Sequence, residues 1–163
     1  MNIETTVFVK PISNLYQRNH VIASNLAYIL KELPTLSLPD ELRNEILTMC
    51  QDFDSAVYDV KKEIRNLEDK LGLHPGEEPF DPNIVNPDPK VTMGFIERWI
   101  AAEIETLDKL VKKLWALAEQ DANSYGLVSV LVTESAGNIV QAHSGAKEEL
   151  QLIRAQLGKK ESD

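Results

Sequence analysis

Cysteine is almost absent from this 163-residue chain. Cys50 stands alone, so no internal disulfide and no multi-cysteine zinc site can form, and a small buried hydrophobe is its expected role. Glycine is sparse and scattered, and neither GxxxxGK[ST] nor GxGxxG occurs, so no common phosphate cradle is encoded. The nucleophile elbow GxSxG is missing as well. No apolar run approaches the roughly 18 residues that span a bilayer, and the opening MNIETTVFVK lacks the apolar centre of a secretory signal. Basic residues are outnumbered, 17 against 26 acidic, for a net charge of -9. That balance opposes nucleic acid and anionic membrane as partners. The chain is expected to be cytoplasmic and to form one domain over residues 1–163, since this length and 43% hydrophobic content supply a single sizeable core.

Helical periodicity dominates what is present. Residues 3–9 alternate up to Pro11 and read as a short extended arm, after which Ser13 is a suitable cap. Leu15, Asn19, Ile22, Leu26, Ile29 and Leu33 then keep a three/four spacing, with Asn19 the one polar side chain on the seam. Pro34 stops that helix and Asp40 is expected to cap the next. The second helix is the most regular: Leu42, Ile46, Phe53, Val57, Ile64 and Leu71 lie on one stripe with charged residues on the other faces, and Gly72 ends it. From His74 to Pro89 the chain is proline-rich and reads as a loop, with Phe80, Ile84 and Val85 as its anchors. A connection of that length lets the third helix run in either direction. That helix, from Val91 to Gln120, carries Met93, Ile96, Ile100, Glu103, Leu107, Leu110 and Leu114 in register, with one glutamate on an apolar seam.

The last third has two readings. As a helix over 124–157, Val128, Leu131, Ser135, Ile139, Ala142, Ala146 and Leu150 share a face. As strands, β-branched SVLVT and IVQAH flank a turn at ESAGN, giving a 127–143 hairpin, and Gly137 and Gly145 each cost a helix about 1 kcal/mol relative to alanine. A hairpin needs more sheet, which only the N-terminal arm offers. The expected fold is therefore an all-α four-helix bundle with an N-terminal extended arm; the alternative is α+β, with a small sheet from residues 3–9 and the hairpin.

Chemistry-bearing patterns are few. No glutamate precedes a histidine by three residues, and His20, His74 and His143 fall on separate elements, so neither a di-iron bundle site nor a zincin helix is encoded, and no metal or cofactor is expected. Asp81, Asn83 and Asp88 lack calcium-loop spacing. One constellation stands out. If the third and fourth helices form a hairpin turning near Asn123, Glu103 falls level with His143, and Glu134, Asn138 and Gln141 form an adjoining polar strip beside Ala142, Gly145 and Ala146. The plainer reading places Glu103 at the stripe's edge, with Ile104 taking the core position and His143 at the surface.

The first helix is about a dozen residues shorter than the others, which leaves apolar surface for another chain. The functional expectation is a non-catalytic interaction or scaffold protein that associates with itself or a protein partner. The alternative is a small-ligand-binding or enzymatic bundle built on Glu103, Glu134, Asn138 and His143.

Overall fold

A computed structural model describes residues 3–74, 76–78 and 88–162 of the chain. Four long helices make an all-α bundle, with no strand among the described residues. Helix α1 is Val9–Glu32, α2 is Asp40–Lys70 and α3 is Pro89–Gln120. Helix α4 is built from three consecutive stretches, Tyr125–Val130, Leu131–Ala136 and Gly137–Ser162, the middle one a turn of π-helix.

Cross-helix contacts fix the ring. Asn14 and Asn25 of α1 reach Glu149 and Asn138 of α4 at 3.0 and 3.2 Å. Lys70 and Glu45 of α2 reach Thr92 and Lys113 of α3 at 2.5 and 2.6 Å. Tyr16 and Asn19 of α1 bond to Glu68 and to the Val57 carbonyl of α2. Glu97 and Glu103 of α3 pair with Arg154 and His143 of α4. In each pair the early residues of one helix meet the late residues of the other, so every neighbour is antiparallel. The direction of α3, open in the sequence, is thus opposite to α2.

The helix ends follow local chemistry. The Asp88 side chain accepts from the Lys90 N–H, with Pro89 in the first turn, where an N–H would have no helical partner. Gly72 adopts a left-handed φ of +75°, and Leu73 N–H donates back to the Glu68 carbonyl, closing α2 as the lone glycine suggested.

Three expectations are corrected. Ile3–Thr6 is a helical turn and α1 already begins at Val9, so residues 3–9 are not an extended arm and Ser13 is not a cap. Pro11 sits in the first turn of α1, where it displaces no hydrogen bond. Asp40 is the first helical residue of α2, not its cap, and its charge faces the positive helix end. The preferred helical reading of the last third holds and the alternative 127–143 hairpin does not form: the segment is helical and buries Val128, Leu131, Ile139 and Ala142 on one face. The proposed loop anchors Phe80, Ile84 and Val85 lie outside the described residues, as do Asp81 and Asn83.

The core comes in two parts. One holds Ile22, Leu26, Ile46, Phe53, Leu110, Leu114 and Ile139; the other holds Phe8, Leu15, Ile64, Met93, Ile96, Leu150 and Ile153. Cys50 is buried in the first part, and burial pushes its thiol up to about 11, which makes it a packing residue and not a nucleophile. Phe8 closes one end of the bundle, and Leu33, Leu36 and Leu38 are buried in the other core, so the chain itself covers much of what the shorter α1 leaves.

Candidate functional site

Between the two cores lies a layer in which polar groups from all four helices are buried together. Asn19 comes from α1, the Val57 carbonyl from α2, Glu103 from α3 and His143 from α4. The three/four spacing that buries each stripe carries these polar residues inside with their apolar neighbours. Asn19 Nδ2 donates to the Val57 carbonyl at 3.2 Å. His143 Nε2 lies 2.8 Å from Glu103 Oε2, and the His143 and Glu103 side chains are 2% and 0% exposed. Phe53 packs its ring 6.2 Å from the imidazole.

The plainer sequence reading is therefore overturned: Glu103 occupies the core position, Ile104 is only half-buried, and His143 is inside. Burial holds the Glu103 carboxyl above the ordinary carboxylate range, while the hydrogen bond and charge of His143 pull the other way without cancelling it. Either proton placement satisfies the short contact: His143 N–H donates to an ionised Glu103, or a protonated Glu103 donates to Nε2. Glu103 Oε1, His143 Nδ1 and Asn19 Oδ1 have no hydrogen-bond partner among the described residues. Such atoms are costly in a dry interior, which makes this layer a place of stored polarity.

The space beside the pair is small. Asn19, Glu103 and Ala146 border a void of about 10 Å³, room for about one water molecule. Ala142 and Ala146 are buried in the two cores, and Gly145 is covered by the Arg18 side chain of α1. The adjoining polar strip does not assemble: Glu134, Asn138 and Gln141 are exposed, and Asn138 turns to Asn25 of α1 instead of to α3. Of the four residues singled out in the sequence, Glu103 and His143 meet; Glu134 and Asn138 do not join them. No group of three or more potential metal ligands exists among the described residues. Chemically, the layer can hold and exchange a proton, yet offers no room to a substrate.

The open surface lies elsewhere, along the seam between α1 and α2. Three adjoining depressions of about 290, 380 and 260 Å³ all touch Tyr16 and run from Val9 and His74, past Tyr58 and Lys61, to Ala23 and Asp54. Sequence reading missed this seam, although Tyr58, Lys61, Lys62 and Arg65 recur at helical spacing on the charged face of α2. Asn19 borders both the seam and the inner void. No helix among the described residues is long and apolar enough to cross a membrane. No family model, curated protein or solved structure matches this chain.

Proposed function

We propose that this chain is a non-catalytic interaction or scaffold protein that associates with a second copy of itself or another protein through its helix faces. The observation that carries this reading is the contrast in space: about 10 Å³ at the buried polar layer against several hundred along the exposed α1–α2 seam. A binding face of protein dimensions suits that seam, with aromatic Tyr16 and Tyr58 as anchors and charged residues at its edge. The net charge of -9 speaks against nucleic acid, and the cytoplasm fits an acidic chain with one buried thiol.

Sedimentation velocity over a concentration series tests the self-association. A dimer or larger species is expected, and a monomer throughout removes that part of the reading.

A second reading, a small-ligand or enzymatic bundle, is favoured by one feature, the raised carboxyl of Glu103 against His143. It requires the void to widen. A thermal-shift screen of small metabolites that stabilises the wild type but not His143→Leu would support it; no hit would dismiss it.

A further inference from the structure

We infer that a second copy of this chain docks antiparallel on the α1–α2 seam, with Tyr58 at the twofold axis and Lys62 facing the partner's Asp54. This deepens the self-association proposed above and rests on it.

Tyr58 is 67% exposed, the most exposed large hydrophobic side chain of the described set, and sits on the outer face of α2. The stripe around it, exposed except for the half-buried Arg65, is symmetrical in position: Gln51 and Arg65 lie seven residues away, Asp54 and Lys62 four, Ser55 and Lys61 three. An isologous contact pairs residue n with its mirror about the axis, because the same patch serves both partners. Centred on Tyr58, that operation sets Asp54 against Lys62, Ser55 against Lys61 and Gln51 against Arg65. No like charges meet. A parallel pairing of the same stripe would instead stack the lysines on one another, so the pattern disfavours it.

The local charge balance also favours a copy of this chain over a strongly acidic partner. Arg65 is already held by Asp69 at 3.8 Å and Glu77 at 3.3 Å. Asp54, Lys61 and Lys62 have no ion pair among the described residues. What remains is two cations and one anion, close to balance, beneath which Tyr16, Ala23 and Val57 give the seam an apolar floor. From Val9 to Ala23 the seam runs about 21 Å at about 1.5 Å per residue, enough to receive four turns of a facing helix. One helix face from each copy is a small interface, so the dimer is expected to be weak and reversible.

Charge exchange on the full chain tests the geometry, read by sedimentation equilibrium, with circular dichroism melting as a check that each variant folds. Lys62→Asp and Asp54→Lys place like charges across the axis twice, so each alone should weaken the dimer about tenfold or more. Both in one chain should restore it. Mixing the two single variants should yield a heterodimer, because an all-lysine edge then meets an all-aspartate edge. A wild type that dimerises but ignores these changes overturns the docking while leaving self-association intact. A wild type that stays monomeric at every concentration overturns both.

Discussion

The buried layer and the exposed seam carry much the same residue types, charged and aromatic side chains on a helical stripe, yet they differ in every physical respect. At the layer, Glu103 and His143 are enclosed by two apolar cores and bond to each other through one oxygen and one nitrogen. At the seam, Tyr58, Lys61 and Lys62 stand in solvent. An ion pair in the interior is strongly coupled to folding, because removing one partner strands the other away from water. A surface charge is screened and contributes little to stability, but it is free to choose an external partner. Polar residues inside this bundle specify how it packs; those outside are available to specify what it meets.

The sharpest way to break that contrast is His143→Ala, which leaves Glu103 buried without its partner and should cost about 3–5 kcal/mol in urea unfolding at neutral pH. Replacing both by leucine should recover most of the loss, since a buried pair exchanged for apolar side chains of similar volume is often neutral. Failure of the double variant to recover would mean that the layer does more than satisfy itself.

pH gives the next effect. The Glu103 carboxyl titrates above its ordinary value of 4.5 in the folded state, so the folded chain binds more proton than the unfolded one as pH rises from there. The stability this group contributes is complete below that value and is lost as pH climbs through the raised folded value. Urea midpoints of Glu103→Gln measured alongside the wild type should show the wild type falling relative to the variant across this rise. A constant difference would place the charge elsewhere.

A smaller change is expected where α1 crosses α4. At Gly145 an added Cβ would lie 2.5 Å from Arg18 Nε and 2.7 Å from its Cζ. Arg18 is exposed and can swing clear, so Gly145→Ala should gain up to about 1 kcal/mol of helix propensity. A net loss on thermal unfolding would show that Arg18 is held in place. The smallest effect belongs to the seam: Tyr58→Ser should leave the stability of the monomer within about 0.5 kcal/mol, as surface substitutions usually do. A larger loss would make Tyr58 part of the fold.

Much of this was legible in residue order. The three/four spacings of α2 and α3 placed Ile46, Phe53, Ile64, Ile100 and Leu110 in the core. Counting back from a turn near Asn123 brought Glu103 level with His143. Less legible was where helices begin and how they face. Residues 3–9 alternate like a strand, but Phe8 gains burial when the chain winds into α1, and tertiary packing overrides so short a local preference. Within α4, the π-turn at Leu131–Ala136, which the residue spacing does not show, leaves both Ser135 and Ala136 buried. The face read from the sequence, Val128, Leu131, Ser135, Ile139, Ala142, Ala146 and Leu150, is nevertheless buried throughout.

The sequence alone determined the first three long helices and their buried stripes, because periodic hydrophobicity is a local property that any amphipathic helix must satisfy. Only the tertiary structure decided that Asn19, Glu103 and His143 of three stripes stand at one level, that the void beside them is small, and that the α1–α2 seam is left open. Those are matters of register between helices. Register depends on connections and end packing, neither of which a stripe records.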